Sequence, residues 1–74
     1  MNNEEKLVSN LLAGVNDGRT DVKAAALIAI GDSGMIDEDR FINALENGAD
    51  SGNSIVKSAA YTGMGRMLKN ANRQ

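Results

Sequence analysis

The sequence predicts an all-α fold, a four-helix two-repeat α-solenoid, and three observations support this prediction. Apolar residues recur at helical spacing in four segments, which turn-forming Gly, Asn and Asp residues separate. Residues 22–31 form an almost wholly apolar run with alanines at its centre, as expected of a helix that is covered on most of its surface. The same pattern returns 34 residues later, at 56–65. A helical pattern repeated in this way is typical of stacked hairpin units.

The first two helices are predicted at about 3–15 and 21–31. The apolar positions of the first helix are Leu7, Val8, Leu11, Leu12 and Val15. Residues 16–19 are typical of a turn, and the Thr20 hydroxyl is placed to cap the second helix. The second helix is expected to end at the Gly-rich segment 31–34.

The last two helices are predicted at about 38–48 and 55–70, with Asp37 and Ser54 as their N-caps. The apolar positions of the third helix are Phe41, Ile42, Leu45 and Ala49, and those of the fourth are Val56, Ala59, Ala60, Gly63, Met64 and Met67. Ser58 and Thr62 stand where the second helix has Ala24 and Ile28. We therefore expect the second helix to lie inside and the fourth to face water in part.

Length and composition predict a single domain, 1–74, with a small core. A chain of 74 residues buries only a modest fraction of its surface. The chain contains no cysteine and no histidine, which excludes disulfides and thiolate or imidazole metal sites as sources of stability. We therefore expect self-association into a homo-oligomer, or a protein partner, to add stability.

The sequence also bears on the location of the protein. No apolar run approaches the roughly 20 residues that a membrane span requires. The polar start at residues 1–5 lacks the features of a signal peptide. We therefore expect a cytoplasmic protein without a membrane partner.

Charge is distributed unevenly along the chain, whose formal net charge is −2. Residues 1–50 hold ten acidic and four basic residues, whereas residues 51–74 hold four basic residues and no acidic one. One interpretation is a solvated surface with accidental clustering. One alternative is that the acidic N-terminal part of one copy attracts the basic C-terminal part of another. The other is that the basic C-terminal part binds an acidic partner.

The two halves align without a gap when residues 4–32 are compared with 38–66. Identities fall at Glu4/Glu38, Leu11/Leu45, Gly14/Gly48, Gly18/Gly52, Val22/Val56, Lys23/Lys57, Ala25/Ala59, Ala26/Ala60 and Gly31/Gly65. Repeat unit one therefore spans about 4–34 and repeat unit two about 38–68. The matches are core, cap and turn positions, so Ala25 and Ala59 are expected to have comparable environments.

Residues 20–34, which read TDVKAAALIAIGDSG, resemble the second helix of a HEAT repeat. The likeness is to the short bacterial form that phycobilisome-lyase-like proteins also contain, and it covers both units. It implies an α-solenoid that binds other macromolecules. Unit two departs from the pattern at Tyr61, Thr62 and Gly63. The period also suits tetratricopeptide repeats, but the chain has no Trp or Pro for their signature.

Catalytic chemistry is not indicated by any motif. The peptide Gly31-Asp32-Ser33-Gly34 matches the surroundings of a serine-protease nucleophile, but no histidine exists to accept the serine proton. The acidic residues 37–39 lack the spacing of a calcium loop. The sequence therefore predicts no enzyme, no cofactor and no catalytic, cofactor-binding or metal-binding residue.

A binding function is favoured instead. A stripe on the fourth helix, which includes Lys57, Tyr61 and Met64, mixes apolar bulk with charge, and Arg66 lies close by. With Lys23, these residues are the predicted contact surface for a protein partner of unknown identity. The predicted role is a small adaptor, assembly factor or inhibitor that self-associates. Its size suits a phage or mobile-element accessory protein.

Two alternatives remain open from the sequence. The basic residues of the C-terminal segment could meet the phosphates of a nucleic acid, with Tyr61 stacking on a base, although the overall acidity disfavours this; they are Lys57, Arg66, Lys69 and Arg73. The other alternative is a structural subunit of a larger assembly, built by end-to-end stacking of copies.

Overall fold

A computed structural model describes residues 1–71, which form four α-helices and no strand. The helices are α1 (Asn3–Val15), α2 (Thr20–Ser33), α3 (Asp39–Ala49) and α4 (Ser54–Ala71). The prediction of an all-α fold with four helices is therefore confirmed. In residues 1–71 no helix is long and apolar enough to cross a membrane.

Three helices begin one residue away from the predicted position. The N-cap of α2 is Arg19 rather than Thr20, and its side chain makes no capping hydrogen bond. The N-cap of α3 is Glu38 rather than Asp37, and its carboxylate accepts from the Arg40 N–H. Ser54 is already the first residue of α4. The Asn53 side-chain oxygen accepts from the N–H groups of the next turn, so Asn53 performs the capping predicted for Ser54.

The predicted break after α2 lies at Gly34 rather than Gly31. The helix continues through Asp32 and Ser33, and Gly34 ends it with φ of 65°. This left-handed conformation is strained for a residue with a side chain. The Ser33 hydroxyl donates to the Ile30 carbonyl at 2.6 Å. The protease-like peptide is therefore the C-terminal cap of a helix.

The two hairpins share the same internal packing. α1 packs on α2, α3 packs on α4, and the most extensive helix–helix interface joins α2 to α4. A Cβ atom built on Gly14 would lie 3.0 Å from the Ala26 Cβ, and one built on Gly48 would lie 3.0 Å from the Ala60 Cβ. These four residues occupy equivalent positions of the 34-residue repeat. Both hairpins therefore close through a glycine that faces an alanine.

Glycine also sets the distance between α2 and α4. A Cβ atom on Gly31 would lie 2.2 Å from the Gly63 carbonyl oxygen, and one on Gly63 would lie 2.6 Å from the Leu27 carbonyl oxygen. Only hydrogen fits at either position, because the obstacles are backbone atoms. Gly63, which departs from the resemblance, is therefore the contact point of the two inner helices.

The expected equivalence of Ala25 and Ala59 is wrong. Ala59 is 5% exposed, whereas Ala25 is exposed to solvent. Ala59 lies beside Ala24 and Ile28 of α2. In residues 1–71 no helix covers the corresponding side of α2, so Ala25 has no such neighbour. The next pair, Ala26 and Ala60, is buried in both units.

Candidate functional site

The two fully buried large side chains of unit one, Leu27 and Ile30, have more exposed equivalents in unit two. Leu27 is 0% exposed, and its repeat equivalent Tyr61 is 57% exposed. Ile30 is fully buried, and its equivalent Met64 is half-buried. The packing of α3 and α4 covers Leu27 and Ile30, and no part of residues 1–71 performs the same role for Tyr61 and Met64. A surface that is an interface in one unit is therefore uncovered in the other.

We call this uncovered surface the C-terminal face. It consists of Ile42, Tyr61, Met64, Gly65 and Leu68. Three of these residues, Ile42, Met64 and Leu68, line a mainly apolar groove of about 280 Å³ beside α3 and α4, which Ile36, Leu45, Glu46 and Met67 also line. Such a groove can accept an apolar side chain from another molecule.

The structure brings together three of the five predicted contact residues. Lys57, Tyr61 and Met64 are spaced by four and three residues along α4, so they share one side of the helix. Leu68 extends this stripe and is 59% exposed. Lys57 is exposed at the start of the stripe, and the charged residue that lines the groove is Glu46 of α3.

Arg66 and Lys23 lie elsewhere. Arg66 is nine residues from Lys57, which at about 100° per residue places it on the opposite side of α4. Its Nη1 donates to both carboxylate oxygens of Asp32, at 3.1 and 3.0 Å. Lys23 is half-buried in a separate cleft of mixed lining, which Arg40, Asn47 and Leu27 also line.

The basic residues of the nucleic-acid alternative do not form one patch in the described part of the chain. Lys57 and Arg66 lie on opposite sides of α4, and Arg66 is paired with Asp32. Lys69 is exposed in the last turn. Arg73 lies outside the described residues.

An ion-pair network fixes α1 against the start of α3. Arg40 Nη1 and Nη2 donate to the two oxygens of Glu5 at 2.8 and 2.9 Å, and Arg40 Nε donates to Glu38 at 2.8 Å. The hydrogen bonds from Arg40 lower the pKa of Glu5 and of Glu38. Both carboxylates in turn raise the pKa of Arg40. This network joins one guanidinium to two carboxylates and is a structural link between the units.

The opposite end of the molecule carries a second uncovered surface, the N-terminal face. It consists of Leu7, Asn10, Leu11, Ala25 and Ala29. Leu7 was predicted to lie on the core side of α1, and this is wrong, because Leu7 is 64% exposed. Its repeat equivalent, Phe41, is 0% exposed. Helical periodicity did not reveal this face, but comparison of equivalent positions across the repeat does.

The acidic groups of the described residues do not meet what a metal site requires. Among residues 1–71 no cluster of three acidic side chains is placed to hold a metal ion. No polar or charged residue described here is buried, and no buried side-chain nitrogen or oxygen in that range lacks a partner. The chemistry available at the C-terminal face is therefore apolar contact, with Glu46 at the groove and Lys57 at the start of the α4 stripe.

No protein-family model, no curated protein and no solved structure matches this chain.

Proposed function

We propose that the chain is a small non-catalytic protein-binding module, built as a HEAT-like two-repeat α-solenoid, and that its C-terminal face receives the partner. The observation that supports this most directly is the contrast between fully buried Leu27 and 57% exposed Tyr61. In a repeat protein each unit buries the same surface against the next unit. In unit two that side is left for another molecule.

The composition of the face supports the same proposal. Tyrosine and methionine are enriched in protein interfaces, where a large amphipathic side chain gains contact area at a low cost in conformational entropy. Tyr61, Met64 and Leu68 provide such side chains within three turns of one helix. Adaptor, assembly factor and inhibitor are all roles that such a face allows, and the cytoplasmic location stays a prediction.

The test is affinity capture from the source cells with the wild-type chain and two matched variants. Leu68→Glu places a carboxylate on the C-terminal face. Ile55→Glu does the same on another side of α4, and Ile55 and Leu68 are both 59% exposed. We expect one or more proteins to be retained by wild type and by Ile55→Glu, and lost with Leu68→Glu. Identical capture by all three chains would contradict the proposal.

A further inference from the structure

The two uncovered faces are the two halves of the junction that already exists inside the molecule. At this junction unit one contributes Leu27, Ile30 and Gly31, whose repeat equivalents lie on the C-terminal face. Unit two contributes residues of α3 and α4 such as Phe41 and Ala59, whose equivalents Leu7 and Ala25 lie on the N-terminal face. The chain therefore exposes both sides of a contact that it also makes internally.

We propose that the occupant of the C-terminal face is the N-terminal face of a second copy of this chain. Unit one of the second copy packs on unit two of the first copy in the way that unit two packs on unit one within a single chain. Copies therefore stack head to tail. This inference rests on the proposed function, because it names the partner of the same face. A contact of this kind is heterologous and extends beyond a dimer.

The apolar part of the contact follows from Phe41. This side chain is fully buried and belongs to the same core cluster as Val8 and Ile30. In the stack Leu7 of the second copy takes the place of Phe41. It then meets Ile42 and Met64, the equivalents of Val8 and Ile30, which line the apolar groove. An exposed leucine and an exposed groove are thereby buried together.

The charges also agree with this register. Arg66 pairs with Asp32, and these two residues are themselves 34 positions apart. The next copy therefore places its own Asp32 beside Arg66 of the first copy, next to Gly65 at the edge of the C-terminal face, where Arg66 also holds Asp32 of its own chain. The Glu5–Arg40 pair has a counterpart between copies as well. Asp39 of the first copy is the repeat equivalent of Glu5, and Lys6 of the second copy is the repeat equivalent of Arg40. Both pairs between copies join opposite charges, which favours this register over others.

One position makes the contact between copies looser than the internal junction. Gly31 and Gly63 nearly touch inside the molecule, and their equivalents are Gly65 of the first copy and Ala29 of the second. A Cβ atom at position 63 would lie 2.6 Å from a carbonyl oxygen. The Ala29 methyl group therefore holds the copies farther apart, and we expect stacking only at high micromolar concentration and above.

The test uses two full-length variants, each of which blocks one face. Leu7→Glu places a charge on the N-terminal face, and Tyr61→Glu places one on the C-terminal face. Both residues are more than half exposed, so circular dichroism should show unchanged helicity. Sedimentation equilibrium is measured for wild type, for each variant alone and for their equimolar mixture.

We expect wild type to form species larger than a dimer, and each variant alone to associate at least about tenfold more weakly, because a carboxylate enters an apolar contact. The mixture should form a species of twice the 7.8 kDa chain mass and nothing larger. The reason is that only the C-terminal face of the Leu7→Glu chain and the N-terminal face of the Tyr61→Glu chain can still bind. The variant Ala29→Gly should shift the association of the otherwise wild-type chain to lower concentration.

Two results would overturn the stacking. Wild type that stays monomeric at millimolar concentration excludes it. Association that Leu7→Glu does not change shows a symmetric contact that does not involve the N-terminal face. In either case the loss of a captured partner with Leu68→Glu would still support the proposed function, so the two proposals can fail separately.

Discussion

The closest contact in the molecule gives the sharpest prediction about stability. Replacing Gly31 with alanine puts a Cβ atom 2.2 Å from the Gly63 carbonyl oxygen and 2.6 Å from the Gly63 Cα. Ordinary contact begins at about 3.4 Å. The two inner helices must therefore move apart by about 1 Å, and this loosens the most extensive interface of the fold.

The size of the effect follows from two opposing contributions. Overpacking costs about 1–3 kcal/mol, and a backbone obstacle places Gly31→Ala at the upper end of that range. Alanine gains about 1 kcal/mol over glycine in a helix. The net loss is therefore about 2 kcal/mol, a substantial part of the 4–11 kcal/mol that roughly 0.05–0.15 kcal/mol per residue gives for 74 residues.

Gly65→Ala is the matched control. Gly65 lies two residues from Gly63 on the same helix, and a Cβ atom there meets nothing within 4 Å. This variant should gain about 0.5–1 kcal/mol from helix propensity alone. Urea denaturation followed by circular dichroism, in dilute solution, measures both. If Gly31→Ala proves as stable as Gly65→Ala, the close approach of α2 and α4 is wrong.

Three further predictions concern the ion pairs, the caps and the core. Arg40 lowers the pKa of Glu5 and Glu38 from their ordinary value of 4.5, so their contribution to stability is present above that pH and is lost as the pH falls through the lowered values. Arg40→Met should shrink this acid-induced loss, which denaturation at a series of pH values measures. Asn53→Ala removes a cap with contacts at 2.9 and 3.2 Å, and should lower the free energy of unfolding by about 1 kcal/mol in a urea titration. Leu27→Ala leaves a cavity at a fully buried position, and thermal unfolding should show a loss of about 2–5 kcal/mol.

Local patterns were sufficient to predict the helices. The apolar spacing gave the observed bounds of α1, and the order of four helices is confirmed. At α3 and α4 the cap lies one residue from its predicted position because a neighbouring polar side chain accepts the N–H groups, whereas the α2 cap, Arg19, makes no side-chain capping hydrogen bond. At α4 the Asn53 side-chain oxygen reaches two N–H groups, so the helix already includes Ser54.

The uncovered faces could not be predicted from periodicity alone. Periodicity identifies an apolar side of a helix, but it does not show whether another helix packs on that side. Leu7 and Ala25 therefore looked like core residues, although only their equivalents Phe41 and Ala59 are buried. Gly63 was predicted on the apolar side of α4 and is buried there, but its close backbone approach to α2 could not be predicted, because that approach depends on the neighbouring helix.

The central claim is that the two ends of the molecule are halves of one repeated contact. A dilution series of backbone amide resonances tests it most directly. We expect the resonances of Leu7 and Ala25 at one end, and of Tyr61 and Gly65 at the other, to shift with the same concentration midpoint, while Leu27 stays constant. Shifts confined to one end, or absent at every concentration, would contradict the claim.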